Sequence, residues 1–429
     1  MQEYGRILLP VPNKLAVIIL NWRIINMDFK DQPFIPMLFG GDINTYSVAR
    51  AFYEGYKVKS YTFGKFATGP SYQSRIIEYT PNPKIDTDEV FMKTVKSFCS
   101  KHADKTVVLV GCGDSYVALI SKHKNELPKN TIAPYIDFDL MNSLQQKETF
   151  YKLCEKHGVD YPGTIIHNKE MGHDFEMNFP FPVILKPSDS IQYWEHPFDT
   201  QKKVYTIKDK KELDQVLDDI YGAGYTGKLI IQDMIPGNDE YMRVLTSYSD
   251  HNGKVKMMCL GHVLLEEHTP HGLGNHAVII TEPNKELMMR VKDLLEELHY
   301  VGFSNFDIKY DRRDGKFKFF EINTRQGRSN YYVTGSGFNV AEYIVEDFVY
   351  GKELPLRYAK EEHLWMVVPK AVAFKYVKDP TLKAKMKKLI KEKKVVNPSF
   401  MKGDLGMPRL ARMIKTHLSH FEKYKKYYS

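Results

Sequence analysis

The segment 302–328, GFSNFDIKYDRRDGKFKFFEINTRQGR, constrains the fold of this chain more than any other. Two stretches rich in aromatic and β-branched residues flank the polar turn DRRDG, and this pattern predicts a β-hairpin. Because side chains alternate between the faces of a strand, Glu321 and Asn323 share one face, where Asp307 of the first strand can join them. Two carboxylates and an amide oxygen are the hard ligands that Mg²⁺ prefers, so the segment indicates a metal site.

Arg325 follows two residues after Asn323, on the same face if the strand persists. A guanidinium there can meet a phosphate or a developing negative charge. A hairpin with charges on one face is more often simply half exposed, and for this segment alone that interpretation stays open.

Length and composition are typical of a globular enzyme with several domains. At 429 residues, two or three domains are expected, and 43% hydrophobic with 27% charged residues suits a soluble protein. The four cysteines are scattered without zinc spacing, which predicts reduced thiols and a cytoplasmic location. No apolar run approaches the roughly 20 residues that span a bilayer. We interpret residues 1–30 as an N-terminal extension.

Positive charge is concentrated at the C-terminus. Residues 371–429 contain sixteen Lys or Arg and four Asp or Glu, although the whole chain carries a net charge of only +8. A basic tail on a nearly neutral body predicts an anionic partner, such as the inner face of a membrane or a phosphorylated substrate. A solvated helix face explains the charge equally well, and without Arg-rich or RNA-binding motifs we expect no nucleic acid partner.

Residues 34–130 alternate short apolar runs with amphipathic stretches, a βαβ rhythm that predicts a Rossmann-like parallel sheet. Gly40-Gly41-Asp42 and Gly111-Cys112-Gly113-Asp114 each follow a predicted strand. Open α/β sheets bind ligands at this edge, so both turns are candidates for substrate binding, with tight turns alone as the alternative.

Two further segments of predicted strands follow each other in a characteristic order along the chain. FPVILKPSDS places Lys186 at the end of a predicted strand, and GKLIIQDMIPGNDEYMRV joins two predicted strands through a Pro-Gly connection. Upstream, Lys147 lies in an amphipathic stretch before GVDYPGT. Together with the hairpin, these segments resemble the ATP-grasp superfamily, whose members use ATP to convert a carboxylate into an acyl phosphate that a nucleophile then attacks.

The resemblance implies an ATP-grasp fold, α/β overall and α+β in the nucleotide-binding part. It also implies an N-terminal Rossmann-like domain over residues 31–135, an ATP-grasp domain over 136–355 and a basic C-terminal region over 356–429. The implied cofactors are ATP and Mg²⁺, with Mn²⁺ as the alternative, and the implied metal ligands are Asp307, Glu321 and Asn323.

The same resemblance implies roles for the nucleotide-binding residues. Lys147 and Lys186 would contact phosphates, and Gln232 would face the adenine amino group. Asp233 and Met234 would present backbone groups to the adenine ring. Either Asp239 or Glu240 would bind the ribose, and the sequence does not choose between them.

Three arginines are candidates for the substrate side. The resemblance implies that Arg325 stabilises the acyl phosphate or its tetrahedral successor. From charge and position alone, Arg243 and Arg328 are candidates for binding substrate carboxylates.

A narrower resemblance extends from residue 34 almost to the C-terminus. The stretches FGGDINTYSVARAF, GCGDSYVALISKHKNEL, APYIDFDL, IQDMIPGND, MRVL, MMCLGH and EINTRQGRSNYYVT are similar to the D-aspartate ligase family of Gram-positive peptidoglycan synthesis. The family implies D-aspartate and a lysine-containing muramoyl pentapeptide precursor as substrates. A homodimer is also expected from related folds. The alternatives are a ligase for another acid or amine and a non-catalytic nucleotide-binding protein at an anionic surface.

Overall fold

The computed structural model describes residues 27–188, 190–270, 272–404 and 406–428. Most of the predicted N-terminal extension therefore lies outside the described residues. Within the part that is described, no helix is both long enough and apolar enough to cross a membrane.

The strands form three sheets. They are β1 (Phe34–Phe39), β2 (Ser60–Gly64), β3 (Ile77–Pro81), β4 (Thr106–Gly111), β5 (Thr131–Ile132), β6 (Thr164–His167), β7 (Val183–Pro187), β8 (Tyr205–Ile207), β9 (Leu229–Asp233), β10 (Met242–Ser249), β11 (Val255–Glu267), β12 (Asn275–Thr281), β13 (Gly302–Asp311), β14 (Lys316–Asn323), β15 (Arg357–Tyr358), β16 (Leu364–Met366) and β17 (Val395–Val396).

Helices connect the strands and cover the sheets. The α-helices are α1 (Ile43–Tyr56), α2 (Asp88–Lys101), α3 (Asp114–Lys122), α4 (Phe138–Gln145), α5 (Lys147–Lys156), α6 (Ser190–Trp194), α7 (Lys210–Gly222), α8 (Lys285–Glu297), α9 (Tyr331–Gly335), α10 (Val340–Ile344), α11 (Lys370–Tyr376), α12 (Pro380–Lys391) and α13 (Met407–Tyr427).

The first sheet has five parallel strands in the order β3-β2-β1-β4-β5, which confirms the predicted Rossmann-like sheet. Strand β1 is buried along its whole length, as expected for a central parallel strand covered on both faces. Asp42 follows it and caps α1 by accepting hydrogen bonds from the backbone N–H groups of Asn44 and Thr45 at 3.0 and 3.3 Å. The cap holds this turn at the carboxyl edge of the sheet.

The second sheet contains the predicted nucleotide-binding strands. Its four antiparallel strands run in the order β6-β9-β7-β8, so Lys186 of β7 lies opposite Ile230 of β9. Strand β9 contains Gln232 and ends at Asp233, where the connection to β10 begins.

The third sheet has eight strands and contains the predicted hairpin. Its order is β14-β13-β10-β11-β12-β16-β17, with β15 beside β11. Strands β13 and β14 pair antiparallel, and Gly315 in their turn has φ of +73°, as the polar turn with glycine predicts. The first residue of the hairpin packs against the segment that follows the last strand of the first sheet. At Gly302 (φ +87°) a Cβ atom would lie 1.9 Å from the carbonyl oxygen of Pro134.

The predicted domain boundaries at 135 and 355 stay predictions, and two features bear on them. Strands β15, β16 and β17 lie beyond residue 355 but belong to the third sheet. One hydrophobic core also joins the first sheet to the hairpin, since Leu109, Tyr135 and Phe306 belong to the same buried cluster.

A buried ion pair attaches the C-terminal segment to the first sheet's loops. Asp404 and Arg409, which we call the C-terminal clamp, are fully buried with 3.7 Å between their charged atoms. Asp404 accepts hydrogen bonds from Tyr46 Oη (2.6 Å) and Ser74 Oγ (2.7 Å). Arg409 donates to the carbonyl oxygen of Pro70 at 2.9 Å.

The clamp also determines which face of α13 is buried. The sequence predicts an apolar stripe of Leu410, Met413, Ile414, Leu418 and Phe421. The buried face instead consists of Arg409, Met413, His420 and Tyr424, because the ion pair draws the helix inward on that side. Ile414, Leu418 and Phe421 are exposed.

Candidate active site

The hairpin brings the three predicted metal ligands together. Asp307 lies directly opposite Glu321, and Asn305 lies opposite Asn323, so all four side chains are on one face of the third sheet. Asn323 Nδ2 donates a hydrogen bond to Asp307 Oδ2 at 3.2 Å. A bulge after Asp307 interrupts the regular pairing at this point.

The two carboxylates strongly affect each other's protonation. Burial and the neighbouring Glu321 raise the pKa of Asp307 to about 7. Burial by itself would raise the pKa of Glu321. The charges of Lys147 and Lys186 have the larger effect, so the pKa of Glu321 lies below its ordinary value. Near neutral pH, therefore, a proton is shared by this pair of carboxylates. A nearby cation would replace that proton by stabilising the ionised form of both groups.

Both predicted phosphate-binding lysines lie at this pair. Lys147, the first residue of α5, donates to Glu321 Oε2 at 2.9 Å. Lys186 comes from β7 of the second sheet, and burial together with the charge of Lys147 lowers its pKa to about 8. Two ammonium groups so close together in a buried setting favour an additional anion.

Arg325 joins the hairpin to the first sheet. Its Nε and Nη2 atoms donate to the two oxygens of Asp114 at 2.6 and 3.1 Å, and Nη2 lies 3.4 Å from Asn323 Oδ1. Gln326, the next residue, donates to the carbonyl oxygen of Gly111 at 3.0 Å. The Gly111–Asp114 turn is therefore part of the site, as its position after β4 predicts.

Most of these residues line one cavity of about 460 Å³, which we call the hairpin cleft, while Lys147 lines a neighbouring cavity of about 200 Å³ that also contacts Asp114, Glu321 and Asn323. The walls of the hairpin cleft come from all three sheets and from the segment before β12. The lining side chains with charged or amide groups are Asp114, Lys186, Glu266, Asn275, Asn305, Asp307, Glu321, Asn323, Arg325 and Arg328.

The predicted adenine-binding residues lie at the end of β9. Gln232 is buried, and its Nε2 donates to Tyr151 Oη (2.7 Å) and Thr164 Oγ1 (3.0 Å), which leaves Oε1 as the acceptor for an amino group. Asp233 accepts from Arg313 Nη1 at 3.0 Å, and its backbone N–H donates to Gly163. Met234 is exposed just beyond.

Neither ribose candidate has a free carboxylate. Asp239 accepts hydrogen bonds from His268 Nε2 (2.9 Å) and from the backbone N–H of Glu266 (2.9 Å). Glu240 Oε1 accepts from the backbone N–H groups of Lys378 and Asp379. Asp239 would have to exchange a protein partner for a ribose hydroxyl, because both of its oxygens already accept hydrogen bonds.

The two arginines that are candidates for binding substrate carboxylates lie in different parts of the structure. Arg328 lines the hairpin cleft, with Nε 3.7 Å from Asp42 Oδ2. Arg243 pairs in register with Ile308, whereas Val244 pairs with Asp307, so alternation directs Arg243 to the opposite face of the sheet. There its Nε donates to Glu282 Oε2 at 2.8 Å. The geometry gives no support to a role for Arg243 at the substrate.

Three residues of the cleft were not predicted from the sequence. Asn305 lies two positions before Asp307, and the alternation of side chains along β13 already pointed to it. Glu266, from the far end of β11, has a pKa raised to about 8 by burial and by the charges of Asp239 and Asp307. Asn275, at the start of β12, was not singled out as a site residue, since neither β11 nor β12 is near the hairpin in sequence.

The donor set fits a hard cation. Among the described residues, no group of three or more His, Cys, Asp or Glu side chains is placed to hold a metal. The candidate metal ligands are instead two carboxylates and one amide. Such ligands suit Mg²⁺, which usually takes its remaining ligands from water and substrate phosphates.

Solved structures with this architecture define the class of the fold. An L-amino acid ligase from Bacillus licheniformis has a TM-score of 0.51 at 15% identity and covers 74% of both chains. N5-carboxyaminoimidazole synthetase from Staphylococcus aureus has a TM-score of 0.53 at 14% identity, covering 79% of this chain and 83% of its own. No family model matches the chain. The likeness shows the ATP-grasp fold.

A curated sequence is much closer. D-aspartate ligase of Enterococcus faecium (strain Aus0004) is 39% identical over an alignment of 411 residues that covers 93% of this chain and 98% of that protein. The chain belongs to the D-aspartate ligase family.

Proposed function

We propose that this protein is an ADP-forming ligase that activates the β-carboxylate of D-aspartate and joins it to the ε-amino group of L-lysine in a peptidoglycan stem-peptide precursor. The observation behind the proposal is the 39% identity to a D-aspartate ligase over nearly the whole of both chains. The hairpin cleft supports it, because its carboxylates, lysines and arginine match what phosphoryl transfer from ATP requires.

The reaction takes two steps. A β-carboxylate oxygen attacks the γ-phosphorus of ATP, and ADP leaves with the electrons of the broken bond. The lysine ε-amine then attacks the acyl carbon, inorganic phosphate leaves, and the nitrogen loses its extra proton to solvent. No protein nucleophile is needed for either step.

The metal-binding, phosphate-binding and arginine candidates each have a proposed part in these steps. Asp307, Glu321 and Asn323 would hold Mg²⁺, or alternatively Mn²⁺, and such an ion would neutralise phosphate charge when bound. Lys147 and Lys186 hold phosphate oxygens. Because Arg325 is anchored by Asp114, it presents a fixed guanidinium to the acyl phosphate.

The nucleotide would lie between the second and third sheets. Gln232, Asp233 and Met234 would contact adenine, and Asp239 or Glu240 the ribose. Lys309 supports this arrangement by donating to the carbonyl oxygens of Ile235 (2.9 Å) and Gly237 (2.8 Å), which fixes the connection after β9 against the hairpin.

The test is ADP and phosphate release with Mg²⁺-ATP and D-aspartate, L-aspartate or neither, each with and without a lysine-containing muramoyl pentapeptide. Release that needs both D-aspartate and the pentapeptide, with a product heavier by one aspartyl unit, is the expected result. Release with a different acid would keep the ligase and reject the substrate. ATP binding without turnover under any pairing would favour a non-catalytic nucleotide-binding protein.

A cytoplasmic location and contact with an anionic membrane are separate proposals. Exposed Ile414, Leu418 and Phe421 lie on α13 beside exposed Lys415 and Lys425, a combination that suits an anionic lipid surface. Co-sedimentation with anionic but not neutral vesicles tests the membrane contact, and Leu418→Ser should reduce it. The predicted homodimer stays a prediction that sedimentation velocity tests.

A further inference from the structure

A second cavity, of about 260 Å³, adjoins the hairpin cleft, and we call it the helix pocket. Arg328 and His276 line both cavities, so the two meet at these side chains. The other walls of the helix pocket come from the turn at Asp42, the loop 68–70 and one face of α13. The basic C-terminal helix is therefore a wall beside the site of chemistry.

The walls of the helix pocket are fixed relative to each other. The C-terminal clamp joins α13 to Pro70 and Ser74, on the loops that form the opposite wall. Since the clamp is fully buried and its charges are paired, the helix and the loop form one rigid structure. The pocket is thus preorganised before any ligand arrives.

Arg412 has an unbalanced charge in this pocket. Its guanidinium donates to the carbonyl oxygens of Gly69 (3.2 Å) and Tyr72 (2.5 Å) and to Gln73 Oε1 (3.0 Å), and these described partners are all uncharged. Burial and the nearby charge of Arg409 lower the pKa of Arg412, which is the opposite of what a paired carboxylate would cause. A guanidinium in this situation favours an anionic ligand.

The pocket also contains acidic groups. Asp42 faces Arg328 at 3.7 Å, and Glu267 pairs with Lys423 at 3.0 Å. His420 is nine-tenths buried, and its Nδ1 is without a hydrogen-bond partner among the described atoms. Positive, negative and neutral polar groups around one small space suit a zwitterion.

Size favours the smaller of the two proposed substrates. Pockets for drug-sized ligands usually measure roughly 300–1,000 Å³, and the helix pocket, at about 260 Å³, is smaller. An amino acid fits such a space, whereas a muramoyl pentapeptide does not.

We propose that the helix pocket binds the amino-acid end of the donor substrate, with Arg412 recognising its α-carboxylate and Asp42 its α-ammonium group. The β-carboxylate then extends past Arg328 into the hairpin cleft, where it is phosphorylated. This inference rests on the proposed function and adds the C-terminal helix to the substrate-binding residues.

The experiment compares D-aspartate with β-alanine, which is aspartate without its α-carboxylate. The variants are Arg412→Ala, Arg412→Lys and the control Lys426→Ala, which removes an exposed positive charge from the same helix. Values of kcat/KM are measured for both acids, and KM is measured for ATP and the pentapeptide.

We expect Arg412→Ala to lower kcat/KM for D-aspartate about thirtyfold, the size expected for losing a hydrogen bond to a charged group. Turnover of β-alanine should change less than about twofold, so the preference for D-aspartate collapses. Arg412→Lys should restore part of the preference, and Lys426→Ala should leave all values near those of the wild type.

Two results would overturn the inference while leaving the proposed function intact. One is an equal loss for D-aspartate and β-alanine in Arg412→Ala, which would indicate a structural role. The other is an effect confined to the KM of the pentapeptide, which would assign the helix pocket to the acceptor. If the wild type does not use D-aspartate, the proposed function fails, and this inference fails with it.

Discussion

The hairpin cleft and the C-terminal clamp both bury carboxylates, but the clamp pairs its carboxylate with a guanidinium, whereas Asp307 in the cleft faces a second carboxylate. Asp404 faces Arg409, Tyr46 and Ser74, all of which pair with it or donate to it. In the cleft, Asp307 and Glu321 face each other, and Asp307 has a pKa raised to about 7. The clamp therefore stabilises the free chain, whereas the raised pKa of Asp307 shows that its charge is unfavourable in the cleft.

This difference separates two uses of buried charge. A buried ion pair with every atom satisfied mainly fixes how elements pack, and removing one partner is costly. Carboxylates held close together without a cation destabilise the chain, and such arrangements are typical of catalytic and metal sites. Substitutions in the two regions should therefore change stability in opposite directions.

The largest effect is expected at the clamp. Asp404→Asn leaves the fully buried guanidinium of Arg409 without its counter-charge, and we expect a loss of about 3–5 kcal/mol in the free energy of unfolding. Urea unfolding measures it. The control Glu422→Gln, at an exposed position of α13, should stay within about 0.5 kcal/mol of the wild type. Similar values for the two variants would contradict the importance of the clamp.

The next effect is on catalysis in the cleft. Asp307→Asn removes one charge of the proposed metal site, and we expect kcat to fall at least about a hundredfold, which corresponds to about 2.7 kcal/mol. Because the pKa of Asp307 is raised and the change relieves the repulsion with Glu321, the free energy of unfolding should not fall. Assays over a range of Mg²⁺ concentrations, with urea unfolding of the same samples, measure both quantities. Wild-type kcat would exclude Asp307 as a ligand.

A smaller effect with a defined pH dependence is expected at Glu266. Its pKa is raised from 4.5 to about 8, so between these values the folded chain retains a proton that the unfolded chain has released. Stability therefore falls as pH rises through this window. Glu266→Gln should remove this pH-dependent loss of stability, because a glutamine side chain does not titrate.

Urea unfolding at pH 5 and pH 8.5 tests this prediction. Relative to the wild type, Glu266→Gln should gain at least about 1.4 kcal/mol at the higher pH, since one pKa unit corresponds to about 1.4 kcal/mol and the shift exceeds one unit. A difference between variant and wild type that is the same at both pH values would show that Glu266 does not titrate as described.

The smallest effect on stability is expected at Asp114, at the solvent-exposed edge of the cleft. The side chain of Asp114 is 65% exposed, so its pair with Arg325 should contribute at most about 1 kcal/mol to stability. Asp114→Asn should thus change the urea midpoint only slightly, and the change should shrink further in high salt. A loss as large as that of Asp404→Asn would remove the distinction between the two regions.

Much of the cleft could be predicted from sequence because the hairpin is a local structure. Strand periodicity and the glycine turn brought Asp307, Glu321 and Asn323 to one face without knowledge of other strands. Lys147 and Lys186 were identified through the order of their segments. Their contact with the hairpin depends on packing between sheets, which no local pattern reports.

The misplaced residue and the missed ones have a common explanation. The sequence showed that Arg243 lies on a strand, but which face it occupies follows from the register of β10 against β13. Arg412 looked like one more charge on a solvated or membrane-facing helix. Its position in the helix pocket depends on the clamp, whose partners are more than 300 residues apart in sequence.

The sequence by itself determined the βαβ rhythm, the hairpin with its metal ligands and the order of the nucleotide-binding segments, because these depend on periodicity and turn chemistry over a few residues. Only the tertiary structure decided that Asp114 anchors Arg325 and that α13 walls a pocket beside the cleft. Those contacts join distant parts of the chain, and they form only when burial and ion pairing bring the parts together.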